Sequence, residues 1–169
     1  MTAQRFLLGA AAVLTALLLQ LAVIGRLPLP GAAPDLLLVL VVGFALAEGP
    51  LAGIITGFVA GLLADSVGDH QLGRLALAYV VVGYVTGLLQ DDTERSTLRP
   101  FLAVAFGAVA GLTVYAGEAI LLGDSRIGVH AIVRSAISTV PYDVILTPFV
   151  VPVVTSLVRR LDPDPLRRL

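Results

Sequence analysis

The longest uncharged run of the sequence, from Phe6 to Gly25, constrains the fold more than any other feature. Its 20 residues would form a helix about 30 Å long, which matches the hydrocarbon thickness of a bilayer. Inside that layer the backbone polar groups must bond to one another, and a single run of this length achieves that as a helix. A cleavable signal has a shorter apolar region, of about 7–15 residues, followed by a small-residue cleavage site. We therefore expect residues 6–25 to be a retained first membrane span.

The overall composition indicates the same environment. Hydrophobic residues make up 57% of the 169 residues and charged residues 14%, whereas a soluble domain is about half apolar and about a quarter charged. The 11 basic residues, all Arg, nearly balance the 12 acidic ones, so the net charge does not indicate nucleic-acid binding. There is no Cys for disulfides, thiolate catalysis or Cys-based metal centres, and two His residues are too few for a His-rich site. We predict no cofactor and no metal.

Further apolar runs follow, separated by turns and charged segments. The stretch RLPLPGAAPD is a turn, and Asp35 at its end is placed to cap the next helix. The sequence thus predicts an all-α integral membrane protein, a compact bundle of about six transmembrane helices that forms a single domain over residues 1–169. The predicted spans are residues 6–25, 36–47, 51–66, 72–90, 101–122 and 142–160.

Two segments have alternative interpretations. Leu36 to Ala64 would be about 43 Å long as one helix, so we favour two short helices that turn at Glu48–Pro50 over one kinked helix. Residues 127–140 have apolar side chains at helical spacing. They fit either an interfacial helix lying on the membrane or the first turns of a long last span kinked at Pro141.

The placement of Arg residues predicts the orientation. With six spans and the N-terminus inside, seven Arg lie on the inner side and four on the outer side, which favours both termini in the cytoplasm of a bacterial inner membrane. The inner set is Arg5, Arg95, Arg99, Arg159, Arg160, Arg167 and Arg168, and the outer set is Arg26, Arg74, Arg126 and Arg134.

Glycine recurs at every fourth position of the stretch GPLAGIITGFVAGLLAD. Helices in lipid gain little from hiding apolar surface, and small residues let their backbones come into close contact. We predict that these glycines form flat strips, either for packing within the bundle or as a groove for another protein's span. The strips contain Gly49, Gly53, Gly57 and Gly61 in the third predicted span, Gly83 and Gly87 in the fourth, and Gly107 and Gly111 in the fifth.

Acidic residues in or at the ends of spans are costly and are therefore functional candidates. Asp65 ends the glycine row and is expected either to pair with Arg74 across the loop or to cap a neighbouring helix. Glu118 lies about one turn from the end of the fifth span. It is expected to snorkel to water or to pair with Arg126 or Arg134.

Asp143 follows a proline and a tyrosine, and we predict that it N-caps the last apolar run. The pair Tyr142–Asp143 also matches half of the intramembrane aspartyl protease motif. The second half is missing, because SVGD ending at Asp69 lacks the first glycine and lies in a loop. Asp65, Asp69 and His70 have only loose spacing for a metal. We therefore predict no catalytic, cofactor-binding or metal site.

The order of these features resembles the MreD family of bacterial rod shape-determining membrane proteins, over roughly Arg26 to Leu161. Asp143 stands where this family is expected to have Asn more often. The matching elements are Pro34-Asp35 with the Leu-rich short helix, Gly49-Pro50 with the glycine row to Asp65, Leu72-Gly73, Ala76-Leu77-Ala78-Tyr79, Gly83-Tyr84 and the closing VPYDVILTPFVVPVVTSLVRRL.

The resemblance implies a non-enzymatic scaffold of the cell-elongation machinery, which supports lateral peptidoglycan synthesis and rod shape. Its implied partners are an MreC-like single-span protein and, directly or indirectly, a penicillin-binding transpeptidase, RodA and MreB filaments, together with membrane lipid. The family fold is similar to that of the substrate-binding subunits of energy-coupling-factor transporters. The alternative function is therefore a small-molecule binding subunit of such a transporter, and an intramembrane enzyme is a third hypothesis.

Overall fold

The structure is a computed structural model that describes residues 3–68, 72–90, 96–122 and 129–160. The regular secondary structure in these ranges is helical, with no β-strand, so the predicted all-α class is confirmed. The α-helices are α1 Ala3–Ala22, α2 Leu36–Glu48, α3 Pro50–Val67, α4 Arg74–Gly87, α5 Arg99–Leu121 and α6 Val129–Arg160, and a 3₁₀ turn, Ile24–Arg26, follows α1.

Four stretches are long and apolar enough to cross a membrane. They belong to α1, α3, α5 and α6, whereas α2 and α4 are shorter apolar helices. The candidate crossings are Leu7–Arg26, Pro50–Val67, Arg99–Leu121 and Val133–Arg160. Large apolar side chains on the outside of all the long helices remain exposed, as expected where lipid is the solvent.

The short helix α2 is the centre of the bundle. All its residues from Leu36 to Leu46 are buried, and it packs against each of the other five helices described. A helix that is hydrophobic on every side is stable only when it is enclosed on every side. The uncharged sequence LLLVLVVGFALA therefore places α2 in the core.

Hydrogen bonds hold the segment between α1 and α2 in place. The predicted cap is confirmed, because Asp35 Oδ1 accepts from the Leu38 N–H at 3.1 Å. Gln20 of α1 donates to the Pro34 carbonyl at 2.8 Å and accepts from the Leu36 N–H at 2.9 Å. On the α6 side, Ser138 Oγ accepts from the Ala32 N–H at 2.9 Å.

A turn at Gly49 separates α2 from α3. Gly49 has φ 90° and ψ −172°, a combination that is essentially restricted to glycine. A Cβ at Gly53 would lie 2.8 Å from Ala45 Cβ, although eight residues of continuous helix would be about 12 Å long. The chain therefore doubles back as two helices. That each of them crosses the membrane remains a prediction.

The last helix differs from the prediction for Asp143. α6 is continuous from Val129 to Arg160 with Pro141, Pro148 and Pro152 inside it, so residues 129–140 are its first turns. Asp143 lies almost four turns inside α6, and its predicted role as the N-cap of a separate helix is wrong. Proline is tolerated within a packed membrane helix because neighbouring groups can satisfy the freed carbonyls.

We predict that Gly49→Ala lowers the stability of the fold by about 1–3 kcal/mol, because alanine is strained at this backbone conformation. The matched control is Gly117→Ala, since a Cβ at Gly117 meets no atom within 4 Å. The measurement is the thermal unfolding midpoint in mild detergent. Equal midpoints for the two variants would contradict the proposed turn.

Candidate functional site

Three glycines of α3 face the backbone of α4. A Cβ at Gly53 would overlap the Gly83 carbonyl, and one at Gly83 would overlap the Gly53 carbonyl. A Cβ at Gly57 would overlap the Tyr79 carbonyl, and one at Gly61 would overlap the Ala76 backbone. The two helices thus touch backbone to backbone along about two turns.

This contact needs glycine at each position because the nearest atoms are main-chain atoms that cannot rotate away. Close approach adds van der Waals attraction and permits Cα–H···O contacts, which contribute about 0.5–1 kcal/mol each. The α3 glycine strip is therefore filled by α4 of the same chain. A span of another protein has no access to this face of α3.

Of the remaining predicted glycines, Gly87 also faces backbone atoms, and the others face side chains. A Cβ at Gly87 would meet Pro50 at the start of α3, whereas Gly49 faces the Gln90 side chain. On α5, a Cβ at Gly107 or Gly111 would lie 3.1 Å or 3.2 Å from Val82 side-chain atoms of α4. All eight predicted glycines therefore face this chain's own residues, and those of α5 meet side chains rather than backbone.

Asp65, near the end of α3, caps the start of the next helix, α4. Its side chain is buried, and its oxygens accept hydrogen bonds from the N–H groups of Gly73 at 2.8 Å, Leu75 at 3.1 Å and Ala76 at 3.3 Å. These donors belong to the start of α4, where helical N–H groups have no partner within the helix. The carboxylate also lies at the positive end of the helix dipole. Of the two roles expected for Asp65, the structure places it in the capping role.

Glu118 lies close to a buried arginine at the same end of the bundle. The Arg74 guanidinium is 4.5 Å from the centre of the Tyr115 ring, a cation–π geometry. Glu118 is partly buried, and the charges of Arg74 and Asp65 both act on it. Of its predicted partners, Arg134 is exposed to the outside and Arg126 lies outside the described residues.

Asp143 belongs to a second polar cluster, which joins four helices. Asp143 Oδ1 accepts from the Asp35 N–H at 2.6 Å, and Tyr79 Oη of α4 donates to Asp35 Oδ2 at 2.6 Å. Gln20 of α1 bonds to the residues on either side of Asp35. Asp143 has no exposed surface. It therefore supports the start of α2 across the bundle.

The hydroxyl groups inside the bundle already have partners. Thr56, Thr86 and Thr147 donate to the carbonyls four residues earlier in their own helices, at 2.7 Å, 2.7 Å and 3.0 Å. No group of three or more His, Cys, Asp and Glu that could hold a metal occurs in the described part of the chain. Asp69 and His70, considered above as metal ligands, lie outside that part.

Sequence reasoning missed Gln20 and Tyr79. Gln20 interrupts the apolar run of α1, and an isolated amide at this depth is a signal that it has a hydrogen-bonding partner. Tyr79 gave no such signal, because its partner Asp35 is 44 residues away and only the tertiary fold brings them together.

Comparison with known proteins gives one family. Residues 2–161 match the family model described as rod shape-determining protein MreD, so the match covers almost the whole chain. None of the curated proteins matches the chain significantly. The family match confirms the resemblance found in the sequence.

We predict that Gly57→Ala destabilises the bundle more than Gly111→Ala. The methyl group at position 57 would overlap backbone atoms of Tyr79, whereas at position 111 the nearest atoms belong to side chains at 3.2 Å or more. Overpacking against immobile atoms costs about 1–3 kcal/mol or more. The thermal midpoint in detergent measures the difference, and equal losses would contradict the backbone contact.

We predict that Asp65→Ala destabilises the protein by about 1–3 kcal/mol, since it leaves buried N–H groups at the start of α4 without an acceptor. Ser66→Ala is the control, because Ser66 is exposed and its hydroxyl donates to the Leu62 carbonyl of its own helix. Hydrogen exchange of the Gly73, Leu75 and Ala76 amides measures the local effect. Unchanged protection in Asp65→Ala would contradict the cap.

Proposed function

The chain belongs to the MreD family of rod shape-determining membrane proteins, and from that premise we propose that it is a non-enzymatic scaffold of the cell-elongation machinery. In this proposal it binds the membrane span of an MreC-like protein and supports lateral peptidoglycan synthesis. The transpeptidase, RodA and MreB filaments associate with it directly or through that partner.

The observation that supports a scaffold is that polar residues and glycines of α3 and α4 already have partners within the bundle. Thr56 and Thr86 are bonded within their own helices, and the α3 glycines are covered by α4. Asp65 is held by backbone N–H groups, as expected for a structural carboxylate. What the described helices offer to other molecules is their outer apolar surface, which suits helix–helix association in lipid.

The transporter-subunit alternative requires polar groups free to bind a small molecule. The sequence offers Thr56, Thr86, Thr113, Tyr115 and Glu118 for this purpose. The three threonines donate to carbonyls of their own helices, and Tyr115 stacks with Arg74. Glu118 Oε2 has no hydrogen-bond partner among the described residues. The contacts of the other four groups favour the scaffold over a vitamin-type site.

We propose that both termini face the cytoplasm. The Arg5–Glu48 ion pair, at 3.3 Å, brings the start of α1 and the end of α2 to the same end of the bundle. The end of α6 has Arg159 and Arg160 in its last turn. The positive-inside rule favours the cytoplasm for such arginines.

Because the chain contains no Cys, introduced cysteines can locate the partner. Single cysteines replace exposed residues of α5 (Leu102 and Phe106) or α6 (Ile145 and Phe149), which are 53–69% exposed. We expect cysteines on one of these outer faces to cross-link to a cysteine placed in the partner's span, in native membranes. Buried Val104 and Val154 provide the control positions.

The expected result is a periodic set of cross-links on one helix face, with no cross-link from the buried positions. Cells lacking the protein should lose rod shape and regain it with the wild-type chain. Two results would contradict the scaffold proposal: failure of the wild-type protein to co-purify with an MreC-like protein in mild detergent, or normal shape without the protein.

A further inference from the structure

The cluster around Asp143 contains one buried side-chain oxygen without a hydrogen-bond partner. Asp143 Oδ2 is buried, and no donor among the described residues lies within hydrogen-bonding distance of it. The other oxygen, Oδ1, accepts from the Asp35 N–H at 2.6 Å, so the side chain points at Asp35. Buried polar atoms nearly always have a partner, and an exception therefore requires a physical explanation.

The neighbouring carboxyl, Asp35, is equipped to carry a negative charge. Its Oδ1 accepts from the Leu38 N–H and its Oδ2 from the Tyr79 hydroxyl. It also lies at the N-terminus of α2, where the helix dipole favours an anion. Both oxygens of Asp35 thus have the donors that a carboxylate needs.

A second negative charge on Asp143 has no comparable support. It would be fully buried, a few ångströms from the Asp35 carboxylate, and one of its oxygens would have no donor. Like charges in a poorly solvated site oppose ionisation, so such a pair retains one proton. A proton on Asp143 removes the second buried charge, and a cation bound at Oδ2 is the alternative that would neutralise it.

We propose that Asp143 binds a proton at Oδ2, so that the Asp35–Asp143 pair carries a single negative charge that resides on Asp35. The proton is the smallest ligand that fits a buried atom. Loss of the proton places two like charges between α6 and the start of α2. The protonated pair therefore stabilises the contact between residues 27–35 and α6.

Among the described residues, no arginine is one of the groups that act on the Asp35 or the Asp143 carboxyl. α2 contributes Asp35, α4 contributes Tyr79, and α6 contributes Tyr142, whose hydroxyl donates to the Pro30 carbonyl at 3.3 Å. α1 contributes Gln20, which does not titrate. On α3, Asp65 acts on Tyr79 only at longer range and is held by its own backbone donors. The net negative charge of the pair is therefore the charge of the Asp35 carboxylate.

Other contacts between residues 27–35 and α6 also depend on the protonation of this pair. Ser138 and Tyr142 of α6 also bond to residues of this segment, Ala32 and Pro30. Repulsion between Asp35 and an ionised Asp143 would therefore weaken the contacts of the whole segment with α6.

The test compares Asp143→Asn with Asp35→Asn. Asparagine at 143 is uncharged, keeps an oxygen for the Asp35 N–H and places an N–H₂ where the proton is proposed. Asparagine at 35 offers one oxygen to two donors, Leu38 N–H and Tyr79 Oη. We expect the thermal midpoint of Asp143→Asn at neutral pH to be at least as high as that of the wild type, and Asp35→Asn to lower it.

The pH dependence follows from proton counting. Folded wild-type protein holds a proton that unfolded Asp143 has released above its ordinary range, so wild-type stability falls as pH rises. The folding equilibrium constant of the wild type is expected to fall by up to about tenfold per pH unit relative to Asp143→Asn. The measurement is the difference in midpoint between the two proteins from about pH 5 to about pH 8.

Infrared spectroscopy detects the proton directly. Wild-type protein in detergent at neutral pH should show the carbonyl band of a protonated carboxylic acid, which Asp143→Asn removes and Glu118→Gln retains. Three results would overturn the proposal: the same band in wild type and Asp143→Asn, an Asp143→Asn protein that is unstable at every pH, or a wild-type midpoint that depends on sodium rather than on pH. The last result would indicate a metal cation at Oδ2.

Discussion

The backbone contact between α3 and α4 is the constraint on which the rest of the bundle depends. The helix α3 lies directly on the main chain of α4 because it has glycine at positions 53, 57 and 61. On the α4 side, Gly83 faces the Gly53 carbonyl in the same contact. In lipid, apolar burial supplies little association energy between helices, so close packing must supply it. This tight pair, together with α6 and α5, encloses α2 on every side, and an enclosed apolar helix is the core that the other elements share.

Two carboxyl groups then fix the helix starts that the packing brings together. Asp65 of α3 accepts the first N–H groups of α4, and Asp143 of α6 accepts the N–H of Asp35 at the start of α2. Each adds hydrogen bonds between helices that also pack against each other, and each satisfies donors that hydrocarbon cannot satisfy. Asp65 and Asp143, two of the charged groups within the bundle, thus have structural roles.

Local patterns in the sequence predicted the helices, the cap at Asp35, the tight packing of the glycine row and the family. They did not predict that the row in α3 meets α4 in the register that sets Gly53 against Gly83, because register depends on the packing of all the helices together. The sequence left open whether residues 127–140 form an interfacial helix or the first turns of the last span. α6 continues through Pro141, and Asp143 consequently serves another helix. The pair Tyr79–Asp35 leaves no local pattern, since its members meet only in the folded chain.

The distance between α3 and α4 tests the central claim most directly. Spin labels at Leu62 and Leu77, both exposed and lying on the two helices, report this distance in detergent by pulsed electron spin resonance. Replacing Gly57 with Leu should widen the distance and broaden its distribution, whereas Gly117→Leu should leave both unchanged. An unchanged distance in a folded Gly57→Leu protein would contradict the account.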